Sequence, residues 1–206
     1  MANRILLFRH LPTVSDDDPE LGTLLSGPGQ DPEELSPRAD AIGNWLRGGA
    51  LGGRKIDVIH HDSSVRCVRS AEIVAGVVGC MNVFQEDFAL RPRRWGDLTG
   101  HRWEEVAQVL AQKSIRDRRR YCPPNGESWM DVERRLRGPL MKFVGSGAKS
   151  VAVFSHKSII RIAVGLLIGL DAAVGLDLNP GGFVEIVRDE LGWKIEKITQ
   201  IPDSIV

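Results

Sequence analysis

The chain has 206 residues, of which 42% are hydrophobic and 26% charged, and its 27 basic and 27 acidic side chains leave no net charge. That composition suits one globular domain with a sizeable core. It argues against broad nucleic-acid or membrane binding, and no apolar run approaches the ~20 residues of a membrane span.

The charge is unevenly placed. Residues 12–34 hold seven acids and no Lys or Arg, whereas residues 88–125 hold nine Lys/Arg against four acids. The four apolar residues before Arg9 are too few for a signal-peptide core. Cys67, Cys80 and Cys122 are odd in number, scattered, and without metal-ligand spacing. A disulfide framework is therefore not expected, and a reducing cytoplasm is the expected location.

In chain order, Arg4–Phe8 reads as a buried strand. The Pro-, Gly- and acid-rich segment 12–34 shows no periodicity and reads as a functional loop. Ser36-Pro37 opens a helix to about Arg47, with Ser as N-cap and Pro at the first helical position. Ile56–Ile59 is a second strand, followed by a helix from Ser63-Ser64 to about Gly79. Asn82–Gln85 reads as a short edge strand. One helix is expected from Trp103 to Arg119 and another from Ser128 to Val144, the latter opened by Ser128 and Asp131 as a capping pair and kinked at Pro139. Ser150–Phe154 is a strand feeding a nearly all-apolar, hence buried, helix from Ser158 to Leu170. Phe183–Val187 and Trp193–Ile198 form a closing hairpin. Strands alternating with helices predict a three-layer α/β/α sandwich with a mainly parallel mixed sheet. The whole chain, 1–206, is expected to be one domain, with an acidic loop at 12–34 and a basic helical cap insertion at about 88–125.

Three strands end in polar clusters: Arg9-His10, then His60-His61-Asp62 with Arg66 on the next helix, then Ser155-His156-Lys157. Ligands of parallel sheets bind beyond the carboxyl ends of strands. Two guanidinium groups and a helix start there suit a dianion, because guanidinium forks match phosphate oxygens. A neutral imidazole among those cations can attack phosphorus. A His60/His61 metal pair is disfavoured, since neighbours on a strand point to opposite faces. Trp95, Trp103 and Trp129 read first as packing residues, with stacking on an aromatic substrate as the alternative.

These residues, taken in order, resemble the histidine phosphatase (phosphoglycerate mutase-like) superfamily. The matching segments are Arg9-His10-Leu11-Pro12-Thr13, Leu35-Ser36, Arg66 with Ser70-Ala71-Glu72, Leu90–Gly100, Gly126-Glu127-Ser128, and Ser155-His156 with Arg161. The resemblance implies His10 as nucleophile, with Arg9, Arg66 and His156 completing the phosphate pocket. It implies Leu11, Thr13, Arg93, Glu127 and Ser128 near the substrate, a small phosphorylated molecule, and neither metal nor organic cofactor. It says nothing of oligomeric state. The chain departs from the pattern in three places. Leu11 and Lys157 stand where the family has Gly, and Pro92 stands where it has its general-acid Glu. Loss of a general acid typically costs about 10²–10⁴-fold in rate. Another residue then supplies the proton (Lys157, Asp16 or Asp17), or the substrate carries a good leaving group, or phosphate is bound without turnover. A mutase activity is a further, weaker reading, because the fuller mutase signature after the first motif is missing.

Overall fold

A computed structural model describes residues 3–18, 20, 24–25, 34–51, 53–80 and 84–205. Six strands form one mixed sheet in the order β3-β2-β4-β1-β5-β6. They are β1 (Arg4–Arg9), β2 (Val58–His61), β3 (Phe84–Glu86), β4 (Ser150–Ser155), β5 (Phe183–Asp189) and β6 (Gly192–Thr199). The β1–β4, β2–β4 and β2–β3 pairs are parallel, while β5 and β6 join β1 antiparallel. Buried on both faces, β1 and β4 read as continuous apolar runs, as parallel strands do.

Among the described residues, seven α-helices accompany the sheet: α1 (Arg38–Trp45), α2 (Val65–Val78), α3 (Trp103–Ala111), α4 (Ile115–Arg120), α5 (Trp129–Gly145), α6 (Lys157–Leu167) and α7 (Leu170–Val174). Alternation along β1 divides the core. Ile5 and Leu7 pack with Val151, Val153, Leu136, Phe143 and Ile160 on the α5/α6 face. Leu6 and Phe8 pack with Ala152, Phe154, Ile42, Ala71 and Val74 on the α1/α2 face. This is the expected three-layer sandwich. Phe8 stacks on Phe154 at 4.7 Å and meets Phe183 at 4.6 Å, so β4, β1 and β5 are locked together one residue short of Arg9 and Ser155.

Four expectations shift. The first helix ends at Trp45 and passes into a wider turn over Leu46–Ala50, where Leu51 N–H bonds Leu46 O at 3.1 Å. Ser36 does accept a bond from Arg38 N–H at 3.2 Å. The second strand runs Val58–His61, so His60 and His61 lie within it. The helix expected over 103–119 is two helices. Ser114 breaks it by exchanging bonds with Asp117, accepting from the backbone N–H at 3.2 Å and donating to the carboxylate at 2.6 Å. The helix after β4 ends at Leu167, and Gly169, at φ +133°, turns the chain into α7. Ser128 and Asp131 cap α5 as expected, and the helix runs on through Pro139. Of the expected edge strand, residues 82 and 83 lie outside the described residues.

Candidate active site

The β1–β4 register sets Arg9 opposite Ser155, so His10 and His156 emerge side by side at the carboxyl edge of the sheet. Their ring centroids are 5.3 Å apart. His10 is fixed at the backbone on both sides: its N–H bonds Ser155 O at 3.0 Å, and its carbonyl accepts Gly181 N–H at 2.8 Å. Its ring Nδ1 lies 2.8 Å from Leu11 O. A carbonyl can only accept, so Nδ1 carries the proton and Nε2 keeps its lone pair. Burial first, then the charges of His156, Arg9 and Arg66, hold the His10 pKa well below that of a free imidazole. At neutral pH the ring is an uncharged nitrogen base.

Arg9 spends one guanidinium nitrogen on Leu178 O at 2.9 Å and another on Asp16 at 3.1 Å. Asp16 also accepts from Thr13 N–H at 2.9 Å and Thr13 Oγ1 at 2.8 Å, which orders the start of the acidic loop. Arg66 is buried in the first turn of α2. Ser70, one turn on, donates to Arg66 O at 2.6 Å and accepts from Leu11 N–H at 2.8 Å, tying α2 to the end of β1.

His156 brings a partner that the motif reading does not assign. Its Nε2–H donates to Asp62 Oδ2 at 2.8 Å, and Ser64 supplies that carboxylate with a further O–H bond of 2.6 Å. Although burial opposes it, these bonds hold the Asp62 pKa down at about 2. Asp62 is therefore a fixed anion behind His156. Desolvation lowers the His156 pKa, and Asp62 opposes that shift. Cys67 Sγ lies 3.7 Å from the same Nε2. Asp62, Cys67 and His156 are the one group of metal-type donors within 4.8 Å of one another among the described residues. Their mutual hydrogen bonds account for that closeness.

A cavity of about 720 Å³ opens over His10, Arg9, Arg66 and His156. Thr13, Asp16, Arg93 and Lys157 also line it, as does Pro92. Other residues named from sequence stand elsewhere. Leu11 is 1% exposed and packs into the α1/α2 core. Glu127 is buried as an ionic anchor, bonding Arg94 N–H at 3.0 Å, Arg135 at 3.1 and 3.2 Å, and Arg91 at 3.3 Å. Ser128 caps α5. Asp17 pairs with Ser36 and Arg38 away from the cavity. Lys157 is ion-paired with Asp177.

The far side of the cavity comes from α3, α4 and the described Leu24 and Leu25 of the acidic loop. Leu24 bridges to Arg102, and Leu25 exchanges backbone bonds with Gly100 and His101 at 2.8 and 2.9 Å. An exposed Glu20–Arg102 pair at 2.9 Å joins the same two segments. Gly96 lets the start of this region pack closely. Its φ is +55°, and a Cβ there would stand 1.9 Å from Pro124 O. Arg93, Arg118 and Arg161 are held by backbone carbonyls.

Comparison with known proteins agrees with this geometry. The sequence model of the histidine phosphatase superfamily (branch 1) matches residues 31–201. A 2,3-bisphosphoglycerate-dependent phosphoglycerate mutase of Bartonella tribocorum is 26% identical over 217 residues, covering 100% of this chain and 96% of its own length. Among solved structures, Mycobacterial hydrolase 1 superposes with a TM-score of 0.76 at 19% identity, covering 98% of this chain and 100% of the other. A putative alpha-ribazole-5'-P phosphatase from Escherichia coli gives 0.74 at 18% identity, covering 97% of each chain. A mycobacterial glucosyl-3-phosphoglycerate phosphatase, complexed with VO3, gives 0.75 at 20% identity, covering 97% of this chain and 100% of that one.

Proposed function

The chain belongs to the histidine phosphatase superfamily, and on that premise we propose that it is a phosphatase working through a phosphohistidine on His10. One observation carries the reading: His10 Nδ1 is engaged by Leu11 O, so the nitrogen free to attack is Nε2, in a cavity floored by Arg9, Arg66 and His156. Nε2 attacks phosphorus and the leaving oxygen departs. Arg9 and Arg66 neutralise the phosphoryl oxygens, while Asp62 fixes the orientation of His156 beside them. Water then attacks the phosphohistidine, breaking the P–N bond and releasing inorganic phosphate. The residues that do this chemistry need neither metal nor organic cofactor. The substrate is a phosphorylated small molecule; two of the similar structures carry phosphatase names, one for alpha-ribazole-5'-P and one for glucosyl-3-phosphoglycerate.

The test is p-nitrophenyl phosphate hydrolysis by wild type and His10→Ala, together with acid-labile, alkali-stable labelling of the protein by a phosphate donor. The variant should lose about 10⁴–10⁶-fold in rate, as nucleophile deletions do, and all labelling. Equal rates and no label on the wild type would leave phosphate binding without turnover. Pro92 in the cavity wall is what favours that second reading.

A further inference from the structure

Two independent features of the cavity lie beyond its phosphate-binding floor. The first is its wall. Trp95, Trp103 and Trp129 face the same space as Leu24, Leu110 and Ile115. Trp103 and Ile115 remain 43% and 45% exposed, so the described residues leave much of this apolar surface open. Trp95 meets Trp103 edge-on at 6.0 Å, and the Arg93 guanidinium stacks 4.3 Å over Trp95. A chamber of about 720 Å³ is sized for a molecule with a substantial apolar body, well beyond a phosphate and a few hydroxyls.

The second feature is the state of the acids. The described cavity lining holds three carboxyl groups, those of Asp16, Glu104 and Asp177. Asp16 accepts three hydrogen bonds, from Arg9 and twice from Thr13, so its carboxylate oxygens are already engaged. Asp177 is ion-paired with Lys157, which pulls its pKa down. Glu104 stands exposed in the first turn of α3. Among the described residues, Asp16 and Asp177 are committed to these partners, and so is the Lys157 ammonium, which leaves a strongly basic leaving oxygen without a dedicated proton donor.

We propose that the cavity is built for aryl phosphomonoesters, in which the bridging oxygen sits on a phenol-like ring. The proposal rests on the phosphatase reading above. His10 Nε2 forms a bond to phosphorus as the P–O(aryl) bond breaks. The electron pair leaves on the aryloxide, which then takes a proton from water. A phenol has a pKa near 10, about six units below that of water, so its anion departs without a general acid while an alkoxide does not. The indoles and aliphatic wall take the ring, whose stacking adds to simple burial. Wall and chemistry thus select the same molecule.

The experiment compares kcat/KM for 2-naphthyl phosphate, 2-naphthylmethyl phosphate, phenyl phosphate and acetyl phosphate. Naphthyl phosphate should exceed the naphthylmethyl ester, of similar shape but an alkoxide leaving group, by about 10²-fold or more. It should show a KM about tenfold below that of phenyl phosphate, the second ring being buried. Trp103→Ala should raise KM for the naphthyl ester several-fold more than for acetyl phosphate, and Trp103→Phe should restore most of it. Equal rates on the two naphthalene esters would overturn the leaving-group half. A KM for acetyl phosphate at or below that of naphthyl phosphate, or no selective loss in Trp103→Ala, would overturn the aromatic half. In either case His10-dependent turnover would still stand. Inertness on every ester with no phosphohistidine would instead remove the phosphatase reading, and this proposal with it.

Discussion

The floor and the walls of the cavity are built by different means. The floor is made of residues at the ends of β1, β2 and β4 and the start of α2: His10, Asp62, Arg66 and His156 are buried, Arg9 is half-buried, and the β1–β4 and β2–β4 ladders with the His156–Asp62 bond set their positions. The walls come from α3, α4 and from Thr13, Ser15, Asp16, Leu24 and Leu25, where large apolar side chains stay open to the cavity and one strap of backbone bonds joins the pieces. A sheet end tolerates no displacement without breaking its ladder, so it suits a nucleophile that must meet phosphorus within a few tenths of an ångström. Short helices joined by loops can change side chains without disturbing that ladder. Reaction type then resides in the floor and substrate choice in the walls, and three perturbations test the division.

The largest effect is expected in the floor. Asp62→Asn removes the anion behind His156 while keeping its shape, and should cost about 10²-fold in kcat on naphthyl phosphate with KM changed far less. Kinetics of the purified variant decide this; a loss confined to KM would make Asp62 a part of substrate binding. The same substitution has a pH signature. The Asp62 pKa falls from 3.8 to about 2 on folding, so in the linked equilibrium the folded state binds fewer protons. Its stability contribution, about 2 kcal/mol, is complete above pH 4 and disappears as pH falls towards 2. Denaturant melts should therefore show wild type and Asp62→Asn converging in acid.

A substitution in the wall should be smaller and selective. Pro92→Glu places a carboxylic acid in the cavity lining where the family carries one. We expect about a tenfold gain on the naphthylmethyl ester, the low end of what a positioned acid contributes, and little change on naphthyl phosphate, whose leaving group needs no proton. A gain on both esters would mean that the substitution improved binding rather than chemistry.

The sequence exposed the floor more fully than the walls, for physical reasons. Arg9-His10 and Ser155-His156 follow apolar runs directly, and a strand's last residues are bound to share one edge of the sheet, so adjacency in sequence translates into position. Asp62 ends a strand in the same way, but pairing it with Arg66 is as reasonable from sequence as pairing it with His156. Only the insertion of β4 between β2 and β1 decides. Glu127 and Ser128 match family positions near the substrate, yet one anchors three arginines and the other caps a helix, roles set by tertiary contacts. Which faces of residues 103–120 meet the cavity depends on the break at Ser114 and on where Gly96 lets the segment fold back. Neither leaves a periodic mark.

The opposite charges of the acidic and basic segments imply that one closes over the other and that salt loosens the contact. Leu24 and Leu25 do pair with residues 100–102, so the segments meet. What holds them there is mostly backbone. The one ion pair between them among those described, Glu20–Arg102, has its side chains 80% and 49% exposed, and exposed pairs are worth at most about 1 kcal/mol. The smallest effect is accordingly expected here. Proteolytic cleavage within residues 18–25 should accelerate less than about threefold between 0.05 and 0.5 M salt, and Glu20→Gln should abolish even that change. Removal of the backbone pairing is the stronger lever: Leu25→Pro deletes the N–H that bonds His101 O and should speed cleavage well beyond any salt effect. A steep salt dependence surviving in Glu20→Gln would shift the weight back to the wider charge asymmetry, and would make the wall a part assembled by long-range attraction rather than by its own hydrogen bonds.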